Sequence, residues 1–305
     1  MLLIVAAIVL STAAGIAAER RWPERSGRAS RRSLLIVLYV VLPPTTFFNL
    51  AAVDFDANLG IGIGLAWVAT AIAAAGAYAI GTRLLQLSRP EVGAMMACTL
   101  VANTGYLGYP LTAALLGLDE LGEGIAYDIA VGTPGLLLGA FAVGAAFGTR
   151  AGSGTRERTG SFFARNLPLY AAVAALFAPD ALAPDLLVDI SRIMVIAILP
   201  IGFFAVGVAL AEESEDDVVP LPPPFTRSTA GVIATKLVLL PALLLALAVP
   251  LIDLPSAYLL MAAMPSGLNA LIVAHAYGLD LPTTAEAISW TTAIVVVVAT
   301  VASLL

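Results

Sequence analysis

Asn103-Thr104-Gly105-Tyr106-Leu107-Gly108-Tyr109-Pro110 interrupts an apolar stretch over residues 92–117. At 1.5 Å per residue, Asn103 lies about 16 Å into that stretch, near the middle of a hydrocarbon core of about 30 Å. Proline removes a backbone donor and crowds the preceding turn, while glycine tolerates non-helical dihedrals, so the helix is expected to unwind here. One such interruption reads most simply as a proline kink satisfied by its neighbours. A second one changes the balance: Met264-Pro265-Ser266-Gly267-Leu268-Asn269 breaks the stretch 255–278 at the corresponding depth. Helices broken at paired midplane positions can cross and present half-helix N-termini, whose free N–H groups and positive dipole ends favour an anion. Asn103 and Asn269 add amide donors and acceptors without a fixed charge. The substrate site expected from sequence is therefore Asn103, Thr104, Gly105, Pro110, Pro265, Ser266, Gly267 and Asn269.

Composition sets the surroundings of these breaks. The chain has 305 residues, 60% apolar and 12% charged, with a mean hydropathy of +0.97, which excludes an ordinary soluble globule. Apolar stretches of about 18 to 25 residues recur along it, each long enough to span a bilayer. Runs such as Val232 to Val249 are continuously apolar, unlike the alternating strands of a membrane barrel. The fold class expected is an all-α polytopic membrane protein with spans near 1–18, 33–50, 59–82, 92–117, 123–148, 162–178, 186–210, 229–249, 255–278 and 283–305. The first stretch has no basic residue ahead of it and is followed by Glu19-Arg20-Arg21, so it reads as a retained helix rather than a signal peptide. One cysteine and one histidine exclude a disulfide framework and a multi-histidine metal site. No metal or cofactor is expected. The basic residues are scattered through short connections, giving no reason to expect a nucleic-acid partner.

Charge placement orients the chain. With the N-terminus outside, the first, third, fifth, seventh and ninth connections face the cytoplasm, and thirteen of the fifteen basic residues fall there. The opposite connections carry Asp54, Asp56, Asp119, Glu120, Asp180 and Asp253 and no Lys or Arg. Ten spans place both termini outside the cell membrane. The run Glu212 to Pro224 is acidic and proline-rich, a solvated spacer without much influence on topology.

The spans also repeat. Leu42-Pro43-Pro44-Thr45-Thr46-Phe47-Phe48 in the second span has a counterpart in Leu199-Pro200-Ile201-Gly202-Phe203-Phe204 in the seventh, and the fourth and ninth spans lie about 160 residues apart. Five spans per half is an odd number, so the second half enters the membrane in the opposite sense, as an inverted repeat. The halves expected are 1–149 and 162–305, joined by a cytoplasmic connector at 150–161.

The same residues resemble a known family, the auxin efflux carriers, which includes the plant PIN exporters and bacterial malonate-type carriers. Asn103-Thr104-Gly105 with Gly108-Tyr109-Pro110 is similar to its crossover in helix 4, and Ala262-Ala263-Met264-Pro265-Ser266-Gly267 with Tyr277-Gly278-Leu279-Asp280 to that in helix 9. Asn166-Leu167-Pro168 and the segment Leu199-Pro200 to Gly207 and Leu210 also fit. The resemblance implies the bile-acid-symporter-like elevator fold, with a scaffold of helices 1, 2, 6 and 7 and a transport domain of helices 3–5 and 8–10. It further implies secondary transport of a small organic anion, lipid surroundings and a homodimer through the scaffold helices. The segment 150–160 is too short to be the long cytoplasmic loop of the plant exporters, so neither their phosphorylation control nor auxin itself carries over.

Several ionisable residues lie apart from the breaks. Asp128, in the outer third of span 5, and His275, about two turns beyond Asn269, are the possible proton or coupling groups, each weighed against a hydrated or packing role. Asp189 and Arg192, spaced i,i+3, are expected to pair locally. Lys236 either snorkels to the inner surface or offers charge to an anion. Three other functions compete. An intramembrane aspartyl protease is disfavoured because Asp128 and Asp280 fall on opposite sides of the bilayer. A sodium-coupled bile-acid-type symporter needs carboxylates at the crossover, and spans 4 and 9 have none. A receptor on a transporter fold is the third. Without a carboxylate on those spans, coupling to protons or to the membrane potential is preferred, and no enzymatic activity is expected.

Overall fold

The computed structural model describes residues 2–53, 57–149, 167–215 and 223–302. The expected connector 150–161, Asn166, Asp54, Asp56 and residues 216–222 of the acidic spacer lie outside them. The helices are α1 (Leu2–Arg21), α2 (Pro23–Ile36), α3 (Leu42–Ala51), α4 (Ala57–Ala79), α5 (Arg89–Leu100), α6 (Tyr109–Leu115), α7 (Leu121–Tyr127) and α8 (Phe141–Phe147). They continue with α9 (Leu167–Ala175), α10 (Asp185–Glu215), α11 (Arg227–Ile233), α12 (Leu240–Ala248), α13 (Ser256–Ala262), α14 (Asn269–Tyr277) and α15 (Leu281–Ala302). Among the described residues the one β pairing is an isolated antiparallel bridge, Ala102 to Ser266.

Among the described residues, five rods are long and apolar enough to cross a membrane: Ala57–Leu84, Leu121–Phe147, Asp185–Ala205, Arg227–Ala248 and Leu281–Ala302. Three of these contain π turns, at Ile80–Leu84, at Asp128–Gly132 with Gly135–Ala140, and at Ala234–Leu239. In span 5 the π turns flank Thr133-Pro134, where the missing proline donor loosens the ladder. In the second expected span, Val37–Val41 forms a π turn just before Pro43 and Pro44 open α3. The apolar stretches 92–117 and 255–278 are each two helices rather than one, split at residues 101–103 and 263–268.

Sequence explains how the pieces begin and end. The Ser88 N–H donates to the Glu91 carboxylate at 2.8 Å in a capping box, and Pro90 sits where its missing donor costs nothing, so α5 starts sharply. Gly278 ends α14 in the left-handed region at φ 71°. The N–H groups of Gly278 and Leu279 both donate to the Ala274 carbonyl, at 2.8 and 2.9 Å.

Packing divides the helices into two sets. α1 runs along α10, α3 packs on α9, and α2 also meets α10. The other set joins α4 to α5 and α12, α5 to α8, α11, α14 and α15, and α13 to α7. One core, with Ala77, Met95, Cys98, Val101, Val273 and Tyr277, is built from the second set alone. The sets meet through α7 on α3 and α6 on α10, with α1 touching α15. There Val195 and Phe203 of α10 share a core with Leu107, Tyr109 and Met261. Outer faces are apolar: α4 buries Ala66, Ala69, Ala73 and Ala77 but exposes Ile61, Val68 and Ile72, and α15 exposes Val297, Val298 and Val301. Such faces suit lipid rather than water.

The α1–α10 contact depends on two glycines. A side chain begun at Gly207 would collide with backbone of α1, including the Ile16 nitrogen at 3.0 Å, and one begun at Gly15 would meet the Val208 nitrogen at 2.9 Å. Backbone cannot swing aside as a side-chain end can. Gly207→Val is therefore expected to cost at least about 1–3 kcal/mol. Its melting point in detergent should fall by several degrees, whereas Gly64→Ala, with nothing within 4 Å of its Cβ position, should melt as the parent does.

Candidate substrate-binding site at the helix crossover

α5 stops at Leu100, Val101 turns extended (φ −96°, ψ 111°), and the chain becomes helical again at Thr104. The partner segment, Pro265-Ser266-Gly267, lies alongside. The Asn103 N–H donates to the Pro265 carbonyl at 2.8 Å, and the Gly267 N–H donates to the Val101 carbonyl at 2.9 Å. Each broken helix thus satisfies polar backbone that the other's break exposes, as any group buried away from water requires. Gly267 is needed for the approach, because a Cβ there would lie 2.8 Å from the Ala102 carbonyl oxygen and 3.3 Å from the Asn103 nitrogen.

Ser266 pins the crossing further. Its Oγ donates to the Cys98 carbonyl at 2.9 Å, one of the free carbonyls at the end of α5, and its N–H donates to Thr291 Oγ1 of α15 at 3.2 Å. Pro265, Ser266 and Gly267 are thus employed in holding the crossing together. Pro110 is buried in the first turn of α6.

The amides stand differently. Asn103 is 4% exposed and Asn269 is exposed at the start of α14, and neither carboxamide hydrogen-bonds to a described residue. Beside Asn103, nothing lies within 4 Å of a Cβ position built on Gly105. Two amides and an open space therefore sit within a turn of the crossing. His275 lies two turns down α14, exposed on the side that also bears Asn269 and Ile272, and it stands apart from the crossing itself.

Asp128 belongs to the crossing, unlike a residue standing alone near the outer surface. Its Oδ1 accepts from Thr104 Oγ1 at 2.5 Å and its Oδ2 from the Tyr109 hydroxyl at 2.6 Å. The three residues meet because both sides are π-wound. Thr104 and Tyr109 are five residues apart, a spacing that a turn of i,i+5 geometry brings closer to one face than an α-helix does. A Cβ on Gly132 would stand 2.6 Å from Asp128 Oδ1. A carboxylate from span 5 is therefore supplied to a break whose own spans have none. Tyr109 was not assigned from sequence, since a 3.6-residue period turns it away from Thr104. Thr291 carried no signal beyond being polar in an apolar helix.

Two other expectations shift. Arg192 pairs chiefly with Asp119, on the connection between α6 and α7, at 2.7 Å, while Asp189 stands at 3.7 Å. Lys236 does not snorkel and is only 1% exposed.

Residues 168–303 match the sequence profile of a family described as "Membrane transport protein", that of the auxin efflux carriers. An uncharacterized transporter of Methanocaldococcus jannaschii is 28% identical over 116 residues, which is 37% of this chain and 37% of that protein. The matched segment thus spans little more than a third of that relative's length. With its long apolar rods, the chain is an integral membrane protein, and its second half is similar in sequence to that family.

The glycines make opposite predictions. Gly267→Ala should force the paired strands apart and lower both stability and ligand binding. Gly105→Leu should leave the melting point close to that of the parent while filling the open space, so that binding is lost without unfolding. Thermal melts with and without ligand separate the two. If Asp128 works with its two donors as one unit, the effects of Thr104→Val and Tyr109→Phe on the melting point should depart from additivity by about 0.5–3 kcal/mol in a double-mutant cycle.

Proposed function

We propose that this chain is a secondary carrier of small organic anions with its site at the crossover, working as an elevator of ten spans in two inverted halves. The observation that carries the reading is the reciprocal backbone pairing of two interrupted helices beside two disengaged amides. Half-helix ends, Asn103, Thr104, Gly105 and Asn269 receive the anion. Pro110, Pro265, Ser266 and Gly267 hold the backbone that presents them. The family match over residues 168–303 supports the transporter class.

The packing supports the division of labour. α1, α2, α3, α9 and α10 act as the scaffold, through which a homodimer forms in the lipid, and the helices from α4 to α8 and α11 to α15 act as the transport domain. Contacts between the sets gather where α7 meets α3 and α6 meets α10, and the positive-inside orientation puts α6 and α7 in the outer half, with both termini outside. Asn269 and His275 are exposed on the opposite side. This is the inward-open end of the cycle. Gly202 of the scaffold rests on the Tyr106 ring, whose Cδ1 would be 2.6 Å from a Cβ at Gly202. A small residue there lets the crossover slide past.

Coupling runs through Asp128, the carboxylate that both Thr104 and Tyr109 grip, and this favours a proton-coupled cycle over a sodium site. Its two oxygens receive hydroxyl donors rather than joining the cluster of carbonyls and carboxylates a hard cation needs. An inside-negative potential also expels a monoanion, by about 2.3 kcal/mol per charge per 100 mV. His275, exposed on the same side of α14 as Asn269, is the second coupling candidate.

Three measurements bear on this. Asn103→Ala and Asn269→Ala should each weaken carboxylate binding by about 5- to 150-fold; both proteins binding and moving every tested carboxylate as the parent does would remove the site assignment. Asp128→Asn should keep binding within about tenfold while abolishing uptake driven by a pH gradient in proteoliposomes. Uptake that follows a sodium gradient after pH gradient and potential are collapsed would favour the symporter. Cysteines at Tyr106 and Gly202, in a Cys98→Ser background, should cross-link under oxidation and stop flux until reduced. Full cross-linking with unchanged flux would replace the elevator by a local gate.

A further inference from the structure

Lys236 sits in the π turn Ala234–Leu239, about 14 Å along the rod that begins at Arg227, which is close to the bilayer midplane. It is 1% exposed and makes no hydrogen bond or ion pair with a described residue. No described carboxylate comes within the 4.0 Å of an ion pair. The buried acids nearby in the fold are already engaged. Both Asp128 oxygens accept from Thr104 and Tyr109, and Glu286 Oε2 accepts from Thr226 at 2.6 Å and Thr229 at 3.0 Å.

The helix register sets this lysine at the level of the crossing. A Cβ on Gly231 would lie 2.7 Å from the Met95 methyl carbon, and one step of four further along both helices Thr235 Oγ1 is 2.9 Å from Thr99 Oγ1. The next residue, Lys236, is therefore level with Leu100 and Val101, and Val101 is the residue whose carbonyl receives the Gly267 N–H. An ammonium taken out of water without a counter-charge is strongly destabilising, and ionisable residues within membrane spans face binding paths or pair with one another. The described residues supply no partner, so we look for it outside them.

We propose that Lys236 supplies the cation that pairs with the carboxylate of the transported anion at the crossover. This rests on the organic-anion reading above and narrows it: the amides and half-helix ends orient the ligand, and Lys236 requires that it carry a carboxylate. Neutral molecules of the same shape are rejected because they leave the ammonium unpaired.

The test uses the purified full chain in detergent, with malonate, glutarate and benzoate as probes and malonamide, glutaramide and benzamide as their uncharged counterparts. At least one acid should stabilise the wild-type protein and its amide should not. Lys236→Gln and Lys236→Met should weaken that binding by at least about 30-fold, and Lys236→Arg should keep it within about tenfold. Without ligand, Lys236→Met should melt no lower than wild type, an outcome that a merely structural lysine would not give. Should the Gln variant fail to fold, the Met variant carries the comparison, and a Met variant that fails to fold makes the lysine structural and overturns the proposal. Acid binding within about threefold of wild type in the Gln and Met variants, with Asn103→Ala still weakened, overturns the role of Lys236 and leaves the crossover site standing. Equal binding of acid and amide also overturns it. No response to any of the acids overturns the crossover reading and Lys236 together.

Discussion

Two hydrogen bonds between main chains, from Asn103 to Pro265 and from Gly267 to Val101, make the rest of this molecule possible. A helix opened inside a bilayer exposes donors and acceptors that lipid cannot satisfy, at a cost of several kcal/mol each. Here each open helix is repaired by the other. The repair fixes where the two stretches cross, which faces of α5 and α14 look inward, and which residues must be small. It also explains why the crossing is a bridge of extended chain rather than a kink, since a kink leaves its freed groups to side chains or water.

Around that bridge the side chains divide into those that hold and those that remain available. Ser266, Thr291, Thr99 and Thr235 tie backbone or one another across α5, α14, α15 and the π turn of span 8. Asn103 and Asn269 are not tied in this way. Asp128 is intermediate, fully occupied by two hydroxyls that both belong to the resumed half of span 4, so a change in its protonation is felt directly by the segment that lines the open space. In the proposed carrier, binding and coupling would therefore share one piece of backbone.

The breaks at Asn103 and Pro265 were legible in the sequence because proline and glycine act locally, through dihedrals and missing donors that need no partner. Their matching depth pointed to a crossing of the two stretches. What could not be read was tertiary or non-α in origin. Thr104 and Tyr109 reach the same carboxylate only in π geometry, a period that hydrophobic patterning does not reveal. Arg192 pairs with its helical neighbour Asp189 as the spacing suggests, but its shorter contact, to Asp119 73 residues away, comes from how α10 docks on the α6–α7 connection. Lys236 looked free to reach the interface, and only the packing of α4, α5 and the π turn decides that it stays inside. Ser266 was expected to face the ligand, yet its hydroxyl ends α5 instead, because a carbonyl freed at a helix terminus competes for any donor within reach.

The apolar outer faces of α4 and α15 have a further consequence. In the proposed carrier Ile61, Val68, Ile72, Val297, Val298 and Val301 ride with the moving set, so a hydrophobic band travels along the membrane normal while the scaffold's band stays in place. The two end positions then differ in how well that band matches the acyl thickness, and mismatch costs fractions of a kcal/mol per ångström. Bilayer thickness thereby becomes a term in the equilibrium between inward and outward states, and the lipid acts on the carrier as an effector without occupying any site.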